Sequence, residues 1–392
     1  MLTHYGEKDY AVAASEAAAH AKNKLYGLID EGRSSAQWLV NKVQTEVPED
    51  RVIAARDFRF DGMVDDRPPG FPHGLLFQFA EKDRTGIMGT SVEKDFTLED
   101  HALSQICGRT DGKKTGLAWK YAQWLREPDR IGWGLPLLAN NLNEIYKHQG
   151  NKRYLVRSYH ENVRGFLSDS YRRLDSRPLL EAFATTAQEC GAVPIRGYGN
   201  NTKVAMKALL PYVFEPADNE VIAFGAMWEN SDYGKGKLKI WGFMMRLWCT
   251  NYMISETGFS QVHLGKKLSD NMLFSQKTYD LDTATSASAI KDVVTQALSP
   301  DTTNKYCEVI RKAHEQKIDP RVAIKRVSTA LNKGETELLT EIYNTGGVEL
   351  LPPGDTAWRL SNALSWVAGQ SEDQERKLDI MKVAGGVLSA VA

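Results

Sequence analysis

Trp228-Glu229-Asn230-Ser231-Asp232-Tyr233-Gly234-Lys235-Gly236, with Met245-Arg246-Leu247-Trp248-Cys249-Thr250-Asn251 shortly after it, places a polar, turn-rich segment between two strand-like runs. Asn, Ser, Asp and Gly at such a point let the backbone reverse tightly and bind its own amides. The pattern predicts a hairpin between strands at 220–228 and 237–244, with Asn230, Ser231 and Gly234 as structural residues of the turn. Arg246 sits between Met245 and Leu247 in an apolar run, so its guanidinium needs a partner or a route to water. The stretch 244–254, which holds Asn251, fits a strand or a helix, because so short an apolar run has no deciding period.

Outward from this hairpin, 202–210 reads as a further strand, and 154–159 with 163–167 as a second hairpin around His160-Glu161-Asn162. A helix is predicted over 179–189. Towards the N-terminus, alanines and Leu25 at helical spacing predict a helix over 8–30 with a weak apolar face, an arm rather than part of a core. A short second helix over 35–46 would turn Trp38, Leu39 and Val43 inward. Asp65 to Pro72 is a proline-rich loop, and Leu75–Phe79 a strand. Thr97 with Asp100 three places on resembles a capping box that opens a helix. Helices are also expected over 117–125 and 136–148. Beyond about 285 the pattern is helical to the end. The expected fold class is α+β, with a central, mostly antiparallel sheet between helical N-terminal and C-terminal regions. The divisions are a helical arm (1–50), a mixed, mainly helical stretch (51–150), a β-rich core (151–265) and a helical region (266–392).

A chain of 392 residues, 42% hydrophobic and 25% charged, is long enough for sizeable cores. Its net charge of -1 supplies no global field for a polyanion, so any such site must be a local patch. Four cysteines without a CxxC pair argue against a zinc knuckle or disulfide framework and fit a reducing cytosol. No stretch approaches the roughly 20 apolar residues that span a bilayer.

Four motifs in order over roughly 95–265 carry a resemblance. Phe96 to Cys107 is similar to the helical opening of a phage- and plasmid-like family of unknown function. Arg164-Gly165-Phe166-Leu167-Ser168-Asp169-Ser170-Tyr171-Arg172-Arg173-Leu174-Asp175 resembles its RAFLSDRYRxLD core. Asn230 to Gly234 resembles its NSExG turn, and Arg246 to Tyr252 its RxxCTNG segment. Asp232 stands where the family has Glu, and Tyr252 where it has Gly. The resemblance implies a phage or plasmid origin, and with it the cytoplasm of a bacterial host, and transfers no catalytic residue.

Two basic clusters point to a partner. Period two puts Lys203 and Lys207 on one face of their strand; Lys237, Lys239 and Trp241 share a face of theirs. If these strands lie in one sheet, lysines and a flat ring would suit single-stranded nucleic acid. A solvated sheet face protected from aggregation is the alternative. Arg153, Arg157, Arg164, Arg172, Arg173 and Arg177 face few acids nearby. Arg153, Arg157 and Arg164 are candidate phosphate contacts, whereas Arg172 and Arg173 are expected to pair with Asp169 or Asp175. No GxSxG elbow, HExxH spacing or GxxxxGK[ST] loop occurs, so no catalytic residue, metal or cofactor is assigned. The expected function is a non-enzymatic phage or plasmid protein that binds or anneals single-stranded nucleic acid as a homo-oligomer, off the membrane. A structural or protein-interaction factor, such as a host-defence antagonist or assembly component, is the alternative.

Overall fold

The computed structural model describes residues 16–63, 74–82, 91–110, 116–218, 220–247, 251–261, 275–347 and 351–390. The Asp65–Pro72 loop, Trp248, Cys249 and Thr250 lie outside them. The architecture is α+β with mostly antiparallel sheets, but there are two six-stranded sheets rather than a single central one.

The first sheet is built from β1 (Glu49–Ala54), β2 (Phe58–Met63), β3 (Gly74–Lys82), β4 (Ser91–Leu98), β5 (Arg153–Tyr159) and β6 (Asn162–Ser168), in the order β1-β5-β6-β4-β3-β2. Among the described residues its one parallel pair is β4 with β6. Phe58, Phe77, Tyr154 and Phe166 alternate onto one face and cluster edge-on or stacked, with Tyr154 and Phe166 4.6 Å apart. The helices α2 (Asp100–Thr110), α3 (Leu117–Leu125) and α4 (Ile131–Lys147) supply the rest of this core.

The stretch 51–150 is mixed, with α2, α3 and α4 following strands of this sheet. Four of its strands precede α2, and β1 finds its partner in β5, about a hundred residues on. Such pairing leaves no local period to read. Thr97 is no helix cap: Phe96, Thr97 and Leu98 finish β4, paired to β3 and β6, and the helix begins at Asp100.

The second sheet holds β7 (Val193–Gly199), β8 (Val204–Leu209), β10 (Glu220–Asn230), β11 (Leu238–Arg246) and β12 (Asn251–Gln261) in the order β12-β11-β10-β8-β7, with β9 (Phe214–Ala217) paired to the start of β10. All its pairs are antiparallel. The 244–254 stretch is therefore strand, a turn at Leu247 and strand again, with Asn251 opening β12 opposite Arg246. Tyr252 lies in extended β12, a conformation that tyrosine adopts readily.

α1 is one helix, Glu16–Thr45, and not an arm. Ala21, Leu25, Ala36, Leu39 and Val43 are buried in the larger core, whereas Trp38, expected inside, is 47% exposed. α1 runs so close to the edge strand β7 that a Cβ on Gly32 would lie 1.9 Å from the Ile195 carbonyl oxygen, and one on Gly197 2.3 Å from that of Ser35. Glycine at both positions is what permits the approach. α1 covers the face carrying Met206, Trp228 and Ile240, which stand in one row with Gly197.

α5 (Ser176–Glu189) and α6 (Gln276–Ala297) join this packing. The chain then folds into α7 (Pro300–Glu315), α8 (Pro320–Val327), α9 (Lys333–Thr345), α10 (Ala357–Gly369) and α11 (Gln374–Ser389). Side-chain caps at Ser275, Ser299, Asp319, Asn332 and Thr356 set the starts of α6 to α10. Among the described residues no helix is long and apolar enough to cross a membrane.

Candidate anion-binding cleft

Both basic clusters of the sequence are resolved, and they separate. The arginines form a buried ionic junction. The lysines gather on one face of the second sheet.

At the junction, Arg157 on β5 is 1% exposed and donates from Nε to Asp50 (2.6 Å), from one terminal nitrogen to Asp175 (2.6 Å) and from the other to the Asp232 carbonyl (2.6 Å). Arg164 on β6 spans Glu46 (2.5 Å) and Glu99 (3.1 Å) and lies over the Tyr159 ring. Arg153 pairs with Asp169 at 3.5 Å, Arg173 with Asp50 at 3.3 Å, and Arg172 holds Asp282 through two nitrogens. Arg157 and Arg164 are therefore not phosphate contacts: both are buried, and their donors are committed to acids of the chain. Arg153 is tied to Asp169 too, so the three candidate arginines are corrected from nucleic-acid site to internal network, and Arg177 is exposed on α5. Arg172 and Arg173 are paired as expected, but with Asp282 and Asp50 rather than Asp169 or Asp175.

The turn after β10 completes the junction. Asn230 is fully buried and donates to the Leu174 carbonyl (2.8 Å) and Ser176 Oγ (3.0 Å). Ser231 donates to the Thr202 carbonyl (2.7 Å) and accepts the Lys235 amide (2.9 Å). Asp232 Oδ1 accepts the amide and hydroxyl of Ser176 at 2.7 and 2.8 Å, which satisfies an orphan donor at the start of α5. The Tyr233 carbonyl faces His101 and Gln105 of α2 at 3.0 and 2.9 Å, and burial pushes His101 down to about 4. Gly234 has φ 78°, and a Cβ there would meet Leu167 at 2.5 Å. The turn thus latches the second sheet onto the end of the first.

Burial and the neighbouring Asp175 charge push the Asp232 carboxyl up to about 6, against the pull of Arg157 and Ser176. A raised folded-state value means the folded chain holds more protons than the unfolded one between about pH 4 and 6. The stability from this group is complete below that window and lost as pH rises through 6. In a carbon-detected NMR titration Asp232 is expected to titrate near 6, and Asp232→Asn to remove the slope it adds; an ordinary aspartate midpoint would refute this.

Arg246, the lone cation of the apolar run, has its partner in Glu220: Nε and a terminal nitrogen donate at 2.7 and 2.9 Å, with both side chains under 5% exposed.

The second cluster has a different character. Register places Arg196, Lys207, Met227 and Trp241 in one row across β7, β8, β10 and β11, and Tyr198, Ala205, Glu229 and Lys239 in the next. Lys203, Lys207, Lys239 and Trp241 therefore share a face, as the expected basic surface requires. Lys237 is exposed in the turn before β11. The face is not open: α11 crosses it and leaves a cleft of about 200 Å³ lined by Arg196, Tyr198, Lys203, Lys207, Met227, Glu229, Lys377, Leu378 and Met381. Trp241 is 5% exposed beneath Lys382 and beside Lys239, at 5.1 and 5.4 Å, so it is not a stacking platform. The exposed ring at the cleft is Tyr198.

Glu229 is the acid of the cleft, 3.4 Å from Lys239 and 4.0 Å from Lys203. Burial, with Lys377 and Arg196 close by, pushes Lys207 down to about 7. Lys377 is lowered for the same reasons, burial first and Arg196 second. Such crowding of cations around a small space favours an anion. Arg196 and Lys377 were missed in the sequence because α11 lies some 180 residues beyond β7. The alternation Ile195-Arg196-Gly197-Tyr198 was the signal for the first of them.

No family model matches the chain, and no curated protein or solved structure is significantly similar to it.

Proposed function

We propose that the protein binds single-stranded nucleic acid as a non-enzymatic oligomer in the replication or recombination of a phage or plasmid. The observation that carries this reading is the meeting of Lys203, Lys207 and Lys239 with Arg196, Lys377 and Lys382 on one sheet face, beside the exposed Tyr198 ring. Cations for phosphate and a free aromatic face for a base are what sequence-tolerant strand binding uses.

A labelled oligonucleotide titrated at 50 and 200 mM salt tests it. With about three phosphates neutralised, affinity should fall about twentyfold between the two. Absence of binding at low salt would end the proposal.

A protein-interaction role is the second reading. It is favoured by the rings Tyr121, Trp124 and Trp133 on α3 and α4, each over 40% exposed and in contact with one another at 5.9–6.2 Å. Large exposed aromatics of this kind are enriched where proteins dock.

A further inference from the structure

The cleft is small for a run of nucleotides. Its volume of about 200 Å³ is below the usual range for small-molecule pockets, and suits a phosphate with part of a sugar. Leu378 and Met381 of α11, with Met227 of β10, supply its apolar lining. On its β7 side Arg196 and Tyr198 are exposed.

Arg196, Lys203, Lys207 and Lys377 face the space against the carboxylate of Glu229, which Lys239 shares from outside the cleft. The surplus exceeds what the single charge of a phosphodiester neutralises. A phosphomonoester carries close to two charges at neutral pH and three acceptor oxygens. At the mouth, Tyr198 stands one strand-repeat from Arg196, where the base of a terminal nucleotide would lie once its phosphate is seated.

We propose that this cleft is a receptor for the terminal phosphomonoester of a single strand, so that the protein recognises phosphorylated ends; the proposal rests on the nucleic-acid reading above. Arg196, Lys207 and Lys377 hold the phosphate, and Tyr198 stacks on the last base.

The test is a set of titrations on the full chain with one oligonucleotide sequence bearing a 5′-phosphate, a 3′-phosphate or hydroxyls at both ends, alongside a nucleoside monophosphate and inorganic phosphate. One phosphorylated end is expected to bind about tenfold tighter than the hydroxyl-ended strand. Arg196→Gln and Lys377→Gln, both at solvent-reached positions, should abolish that difference and leave the circular dichroism spectrum unchanged. Tyr198→Ala should weaken the phosphorylated strand and the nucleoside monophosphate but leave inorganic phosphate unaffected. Equal affinity for phosphate- and hydroxyl-ended strands would overturn end recognition while strand binding stands. Binding of inorganic phosphate or the mononucleotide with no strand bound at all would overturn the nucleic-acid reading, and end recognition with it.

Discussion

Arg157→Met is expected to destabilise the fold by about 2–3 kcal/mol, below the cost of breaking a fully buried pair, because the Asp50 and Asp175 side chains left behind are 21% and 45% exposed. The guanidinium is 1% exposed, and its three 2.6 Å bonds reach β1 through Asp50, the segment before α5 through Asp175, and the β10 turn through the Asp232 carbonyl. Methionine fills most of the volume but leaves these carboxylates facing one another with Arg173 alone beside Asp50. Against a typical total of about 5–15 kcal/mol, this is a large fraction. Urea unfolding at pH 7 would read it as a lower midpoint. Adding Asp175→Asn to Arg157→Met should recover part of the loss, because a repelling charge is gone. A variant within about 1 kcal/mol of the parent would mean the junction is hydrated and contributes little. The same experiment separates structure from binding: were Arg157 a phosphate contact, its loss would weaken strand binding and spare the fold.

Lys207→Met is expected to act in the opposite direction. Its ammonium is pushed from 10.5 down to about 7 by burial and then by Lys377 and Arg196; Lys203 and Glu229 face it as well. A depressed lysine means the folded chain binds fewer protons than the unfolded one between about pH 7 and 10.5. Stability in the parent therefore rises with pH across that window, and each unit of depression costs about 1.4 kcal/mol when the group is charged. Methionine keeps the stem and drops the charge, so a gain of about 1–3 kcal/mol at pH 7 is expected. The gain should shrink towards pH 10, and phosphate binding should fall together with it. Loss of stability would mean that Lys207 serves packing or pairing and that the cleft is not kept open for an anion.

These two residues also show what the sequence could and could not say. The face shared by Lys203, Lys207, Lys239 and Trp241 follows from period two along single strands, and was legible because β8, β10 and β11 are near neighbours in the chain. The fate of Arg157 was not. Asp50 lies 107 residues before it and Asp232 75 after it, and no local pattern reports a partner at that distance. The same limit hid the first sheet, whose β1 pairs with β5. It also hid the exposure of Trp38, where neighbouring Leu39 takes the buried place. Glu220 could have been found: it is an acid directly before the apolar run Val221–Trp228, which the hairpin folds back against Arg246.

The contact between α1 and β7 has a consequence for self-association. β7 ends its sheet, and a bare strand margin invites another molecule to add its own strand. With Gly32 and Gly197 letting the helix backbone settle directly on it, α1 serves as a fender against chain-to-chain zippering. Any oligomer that this protein builds must then be joined elsewhere on its surface.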